Sequence, residues 1–520
     1  MKTQVLIIGG GVTGTGIARD LALRGVGCVL VEKRDINAGA SGGNHGLLHS
    51  GSRYIASDPA AAVECRREGK ILKEMVSHCI EETGGLFVAV EGDDENYIAD
   101  FPLLCRKSGI SVARIDVDAA RHLETSLSDK LIAAYQVEDA TIDPFMLSLD
   151  NLAHAQEMGA EFLKNTKVLG FSIKGGNIRS VRVVNTVSGK SGSIEADVVV
   201  NAAGAWAGRV AAMAGAKIHM VYSKGSLVVT QTRINNRVIN RLRKATDADI
   251  VVPGGTVSIL GTTSERVTSP DRIFPEIHEI DHIIEECTAM MPILDKTRYI
   301  RSYCGVRPLI SSGKGGDDRN VSRGFSLIDH QREGVENFIS ITGGKLTTFR
   351  LMAEKASDRV CRRIGNCKPC MTAQVPLPST TDAKWTEPGL APRNWIANND
   401  PSDILLCECE MVPKSAVDSI AGRIKKHGGK PTLEAVGLRS RIGKGPCQGS
   451  FCSLRVLAYL YDREYIDGGE GKKIIRQFLQ ERWRGQHSLL WGIPLVQAEL
   501  QQALHCGLFG LELDQETNQS

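Results

Sequence analysis

At 520 residues the chain is longer than one hydrophobic core accommodates, because single cores stop growing at about 250 to 300 residues; two or three domains are expected. Its 63 Lys and Arg against 60 Asp and Glu leave a formal charge of +3, which excludes the global basic field that draws proteins to nucleic acid or anionic lipid. No nucleic acid partner is expected.

The chain opens on MKTQVLIIGGG, an apolar strand with no room for a secretion signal before it. A cytoplasmic chain with reduced thiols is the expectation, so some of the 14 cysteines are candidate ligands rather than disulfide partners. Residues 1 to 33 read strand, glycine turn, helix, strand: QVLIIGG, GVTGTGIARDLALRG, VGCVLVEK. Within this βαβ unit Gly9, Gly11 and Gly14 form G-x-G-x-x-G, and Glu32 ends the second strand. Glycines there let the backbone approach a pyrophosphate at the positive end of a helix, and the acid accepts hydrogen bonds from ribose hydroxyls. The motif alone does not separate FAD from NAD.

From there to about Met371, β-branched runs such as SVRVVNTV, EADVVVNAAG and SLVVTQT alternate with helical stretches such as AAAVECRREGKILKEMV. That order predicts a mixed α/β domain with an inserted sheet. The apolar stretch VVVNAAGAWAGRVAAMAGA from Val198 is broken by Asn201 and Arg209 and fails as a membrane span of about 20 apolar residues. GGKLTTFR, Gly343 to Arg350, is a glycine pair opening a late helix, placed to bring backbone amides to a flavin ring edge; this favours FAD. No second G-x-G-x-x-G follows a strand, so a separate NAD(P) site is not expected.

Pro376, Pro378, Pro388, Pro392 and Pro401 crowd a segment read as an interdomain linker, 376–402. Beyond it Cys407 and Cys409 form C-x-C, and Cys447 and Cys452 form C-x4-C in the glycine-rich loop GKGPCQGSFC. Four thiolates in two tight pairs suit a 2Fe-2S cluster, with structural zinc the alternative. Cys361, Cys367 and Cys370 contain a C-x2-C but lack a partner pair and read as ordinary thiols. The expected division is an FAD-dependent oxidoreductase domain over 1–375, the linker, a 2Fe-2S domain over 403–460 and a helical extension over 461–520.

The stretches GGGVTGTGIARDLALRG, NHGLLHSGSRY, VVVNAAGAWA, KGSLVV, YCGVRPL, NVSRGFSLIDH and GGKLTTFRLMAE, with CECE, KGPCQGSFC and ERWRGQHSLLWG, carry a resemblance. Through them the chain resembles the FAD-dependent glycerol-3-phosphate dehydrogenases of the anaerobic type, over nearly its whole length. The fold implied is α/β: a Rossmann-like FAD-binding domain, an inserted mixed-sheet substrate cap, and a small, mainly helical C-terminal domain of the bacterioferritin-associated-ferredoxin type. The activity implied is oxidation of sn-glycerol 3-phosphate to dihydroxyacetone phosphate. Electrons would pass from FAD through the cluster to a partner flavoprotein and an iron-sulfur membrane protein, and so to a quinone, at the cytoplasmic face of the inner membrane.

The resemblance also matches Arg53, Tyr54, Arg307 and Arg323 to substrate and phosphate contacts, and His49 and Lys345 to groups beside the flavin. It matches Gly204, Gly344, Lys345, Leu346 and Thr347 to cofactor contacts. A phosphomonoester needs forked, permanently charged donors, which arginine supplies. Oxidising the C2 alcohol needs a base or a stabilising cation near C2; His49 is the candidate base and Lys345 the electrostatic partner, with Arg307 alongside. Leu227 stands where the aerobic enzymes place a histidine after KGS. A D-amino acid, an imino acid or another 2-hydroxy acid is the competing substrate class on the same fold, and an electron-transfer scaffold is the non-enzymatic alternative.

Overall fold

The computed structural model describes residues 1–310 and 324–513. Its first sheet is built on the apolar run of the opening strand, Lys2–Ile8, whose last four residues are buried. That strand lies between Cys28–Val31 and Ser191–Asn201, parallel to both, and Glu161–Leu163 and Phe338–Gly343 extend the parallel set on either side. A hairpin of Thr166–Lys174 and Asn177–Asn185 and the strand Phe325–Asp329 add antiparallel pairs. Strands buried on both faces read as unbroken Val/Ile/Leu runs, as VLII, CVLV and VVV do here.

Helix Val12–Leu23 covers this sheet together with Pro144–Glu157 and Phe349–Ile364. Ile17, Leu21, Ala155, Met352, Ala353 and Val360 form the shared core with Val5, Ile7 and Leu30. Gly16 permits the closest approach: a Cβ there would sit 3.2 Å from Ala353 Cβ.

The second sheet has nine strands. It is antiparallel except where Val238–Arg241 runs parallel to Gly85–Val90, so it is mixed, as expected of the cap. Its longest pairing joins Met220–Thr230 to Tyr299–Ile310 and sets Ser223 opposite Arg307.

The proline-rich segment differs from expectation. Instead of a bare linker it holds a short 3-10 turn, Lys384–Thr386, and a helix, Leu390–Asn398. Trp385 and Ala391 are buried in the same core as Leu406, Ile420, Val456, Ile475 and Leu479. Trp385 to Ala391 and the helix Gly468–His487 therefore pack with 403–460 around one interior, while Leu377 and Ala383 are buried with Val12, Leu48 and Leu147 instead. This C-terminal region is mainly helical, with Lys414–Lys426, Leu433–Leu438, Cys452–Asp462, Gly468–His487 and Gly492–Phe509 around a two-stranded ribbon, Leu405–Cys407 with Val412–Pro413.

Candidate active site and cysteine centre

A cavity of about 2540 Å³ runs between the two sheets and reaches the C-terminal helices. At one end lies the glycine turn. Gly9 has φ of +117°, and a Cβ there would sit 2.5 Å from Ala202 O. Gly11 stands at the N-terminus of Val12–Leu23, where the Val12 N–H donates to Ser41 Oγ at 3.0 Å and Gly11, Val12 and Thr13 line the cavity. Gly14 does not line the cavity; its role is packing, since a Cβ would collide with Gly9 O at 1.9 Å. Both oxygens of Glu32 already accept backbone N–H groups, from Gly10 at 2.8 Å and from Arg34 at 2.9 Å, which holds the carboxylate at the cavity wall with lone pairs to spare. A phosphate-bearing dinucleotide fits this cradle.

Gly204, Gly344, Lys345 and Leu346 also line the cavity. Gly204 follows the strand Ser191–Asn201 at φ of +54°, and its carbonyl accepts from Thr342 Oγ1 at 3.1 Å. Thr347 stands behind the wall instead: it is fully buried, and its hydroxyl accepts the His49 N–H at 3.2 Å. Its visible contact is therefore with His49, which it positions.

His49, Tyr54 and Lys345 form one group. Tyr54 Oη lies 3.2 Å from His49 Nε2, and Lys345 Nζ lies 4.5 Å from the centre of the Tyr54 ring. Arg53 and Arg307 reach the cavity from different elements. Arg53 Nη2 donates to Thr246 O at 3.0 Å and to the fully buried Asp249 at 3.3 Å. Arg307 Nη1 donates to Thr263 O at 2.9 Å, and its Nη2 to Thr262 Oγ1.

Behind Arg307 stands a polar cradle. Thr263 Oγ1 donates to Glu279 at 2.6 Å and accepts from Ser226 N at 2.9 Å. Lys224 Nζ closes it, 2.9 Å from Glu279; against the cost of its burial, Glu279 and Glu265 raise the Lys224 pKa and keep it charged. Arg323 lies outside the described residues. Leu227 is buried and does not line the cavity.

The sequence reading missed His45. It lines the cavity four residues before His49, its ring 6.1 Å from that of His49, and its Nδ1 accepts the Leu47 N–H at 3.2 Å. Burial, and then the guanidinium charges of Arg53 and Arg307, push its imidazole down to about 3. His45 is thus kept neutral chiefly by its burial, and the signal for it in the sequence was its place in NHGLLHSGSRY.

At the far end the cavity is lined by Gly443, Lys444 and Gln448 of the loop that carries Cys447. Cys407 Sγ and Cys409 Sγ are 3.8 Å apart, and Cys409 Sγ and Cys447 Sγ 3.6 Å; Cys452 interacts with both Cys407 and Cys447. Hydrogen bonds from Cys409 and Cys452, then from the Gly449 and Phe451 amides, hold Cys447 far below the ordinary thiol range. The link to the cavity is short: Arg301 lines it, and its Nη1 lies 3.5 Å from Oε1 of Gln448, the residue after Cys447. Lys444 lines it too, over the Phe145 ring, and burial pushes its ammonium down to about 8. Cys361 is elsewhere, in the core under the first sheet.

Residues 4–359 match the family model of the FAD dependent oxidoreductases, DAO. The chain belongs to that family. Within it, the chain is 41% identical over 539 residues to one of the subunits of the anaerobic glycerol-3-phosphate dehydrogenase of Escherichia coli, covering 99% of this chain and 98% of that one. It is 38% identical to the same subunit in Haemophilus influenzae, covering 100% and 96%. Among solved structures, the glycerol-3-phosphate dehydrogenase of Bacillus halodurans complexed with FAD superposes with a TM-score of 0.65 at 20% identity, covering 94% of this chain and 96% of that one; at that identity the likeness is one of fold. As an FAD-dependent oxidoreductase of the glycerol-3-phosphate dehydrogenase group, the chain uses FAD, and the glycine turn, Glu32 and the Gly344 loop are the groups that fit it.

Proposed function

We propose that this enzyme oxidises sn-glycerol 3-phosphate to dihydroxyacetone phosphate. The observation that carries the reading is that Arg53 and Arg307 line one cavity with His45, His49, Tyr54 and the flavin cradle. Two fixed guanidinium groups beside a neutral imidazole suit a phosphate dianion, which they bind through charge-assisted forks. The relatives named above as glycerol-3-phosphate dehydrogenases support the same choice.

Bound FAD supplies the hydride acceptor. The chain's own residues do the rest. Arg53 and Arg307 hold the phosphate and so fix the C2 carbon; Asp249 and the Thr263–Glu279–Lys224 cradle keep those guanidiniums from swinging. His49 takes the C2 hydroxyl proton at Nε2, where Tyr54 Oη now sits at 3.2 Å and is displaced or becomes the relay. Lys345 places positive charge beside the developing alkoxide.

Electrons leave, on this reading, through a 2Fe-2S cluster on Cys407, Cys409, Cys447 and Cys452. The support is the sulfurs of Cys407, Cys409 and Cys447 in succession at 3.8 and 3.6 Å, Cys452 interacting with Cys407 and Cys447, and amide donors aimed at Cys447, which suit thiolate ligation. The acceptors would be partner subunits, a flavoprotein and an iron-sulfur membrane protein, and then a quinone. The relatives are themselves named as subunits of a larger enzyme, which points to such an assembly. Among the described residues no helix is long and apolar enough to cross a membrane, so a cytoplasmic chain would meet the membrane through those partners.

The deciding experiment is anaerobic titration of the purified chain with glycerol 3-phosphate, following flavin bleaching and the cluster signal together. Bleaching by glycerol 3-phosphate but not by glycerol, glycine or proline is expected, with iron and sulfide present in equal amounts. Bleaching by an amino acid instead would overturn the substrate, and zinc in place of iron would overturn the electron path.

A further inference from the structure

The C-terminal helix Gly492–Phe509 leaves a row of large apolar side chains exposed although it is itself packed on the protein. Ile493, Val496, Leu500, Leu504 and Leu508 recur at helical spacing along one side, and with Trp491 just before them each is 60 to 82% exposed. The side turned to the protein carries the buried Ala498 and, partly buried, Leu495, Cys506 and Phe509 together with Gln501, Gln502 and His505. A helix normally buries its apolar stripe, and the largest apolar patch on a monomer is about 300–600 Å² and often functional. Six large side chains in a row reach that scale.

The position of the helix narrows what covers it. Gln501 Oε1 lies 3.1 Å from Ser450 Oγ and accepts from Arg482 Nη2 at 3.0 Å. Ser450 Oγ donates to Cys447 O at 2.7 Å. The helix is therefore tied to the loop between Cys447 and Cys452, where Phe451 is 60% exposed and Cys409 is exposed as well. Its charge narrows it further. The helix contains no Lys or Arg, and Glu499 is its one charged residue, whereas helices that lie on anionic lipid carry basic polar faces.

We infer that the apolar face of Gly492–Phe509 is the docking surface for an electron-accepting partner protein, which it seats beside the cysteine centre. This rests on the electron-exit reading of the cysteines. A partner packed on Leu500 and Leu504 buries the stripe and brings its own redox centre up to the exposed side of Cys409. A lipid surface and a second copy of this chain are the competing occupants.

The test is the full-length double variant Leu500→Gln, Leu504→Gln. Dye-linked glycerol 3-phosphate oxidation by the purified variant is expected within twofold of the parent. Oxidation linked to membranes of the producing cells, stripped of this chain and supplemented with it, is expected to fall at least tenfold. An unchanged membrane-linked rate overturns the inference. So does parent protein floating with protein-free phosphatidylethanolamine and phosphatidylglycerol vesicles while the variant does not, or a parent dimer in sedimentation that the variant dissociates. A photo-crosslinking residue at position 504 in cells gives a readout independent of substrate. A single adduct with a flavin- or iron-sulfur-containing polypeptide is expected even where the substrate reading fails and dye reduction is absent in both proteins; adducts only with itself or with lipid sink the proposal.

Discussion

Arg439 Nη1 and Nη2 lie 3.0 and 3.1 Å from the two carboxylate oxygens of Asp35, and both side chains are buried. Asp35 follows the second strand of the FAD-binding sheet, and Arg439 ends the helix Leu433–Leu438 of the C-terminal region. One forked ion pair therefore clamps the cysteine-bearing region onto the flavin-binding one. Burial would raise the Asp35 pKa, but Arg439 and Lys164, 3.4 Å away, outweigh it and hold the carboxyl below its ordinary value.

Removing one partner of a buried pair strands the other charge, at about 3–5 kcal/mol; Lys164 relieves part of that. Arg439→Met is expected to lower the free energy of unfolding in urea by about 3 kcal/mol, with Asp35→Asn on top recovering at least half. A double variant as unstable as the single would mean that the loss is one of packing.

Arg307 presents a planar fork held at Thr262 and Thr263. Lysine keeps the charge but not the fork. Arg307→Lys is expected to raise KM for glycerol 3-phosphate about 30-fold or more, corresponding to about 2 kcal/mol of charge-assisted hydrogen bonding, while flavin content stays at the parental level. Steady-state dye reduction measures it. A KM within twofold of the parent would take Arg307 out of phosphate binding.

What the sequence disclosed and what it hid divide along range. Gly9, Gly11, Gly14 and Glu32 were legible because a βαβ turn is local and its glycines answer to a backbone requirement. The cysteine pairs were legible because their spacing within each pair is local too. The partners that aim the arginines were not: Asp249 lies 196 residues from Arg53 and Thr263 44 from Arg307, and only the cap sheet brings them together. Thr347 was read as opening a helix whose backbone amides reach a flavin; that its hydroxyl accepts the His49 N–H, 298 residues away in sequence, was not legible. The prolines of 376–402 do break regular structure, but the linker reading overlooked Trp385, an aromatic that has to be buried somewhere and joins the C-terminal core.

His49 is the candidate base, and Tyr54 Oη occupies the nitrogen it would use. His49→Ala is expected to lower turnover at least tenfold with FAD still bound, as loss of general base catalysis does. Tyr54→Phe separates two roles for the tyrosine: a relay predicts a turnover loss approaching that of His49→Ala, and a displaced placeholder predicts a change below threefold. Turnover unchanged in His49→Ala removes it from the reaction.

His45 gives a prediction in pH rather than in rate. In the unfolded chain its imidazole takes a proton near 6.5; folded, burial and the charges of Arg53 and Arg307 hold it to about 3. Between those values the unfolded state binds more protons, so stability falls as pH drops from 6.5 toward 3 and is fully kept above 6.5. His45→Gln has no proton to gain. Its melting temperature is expected to fall less than the parent's between pH 7 and pH 5, measured by thermal scans of both proteins in the same buffers. Parallel curves would show that His45 takes up its proton as readily in the folded as in the unfolded chain, and so that burial does not depress it.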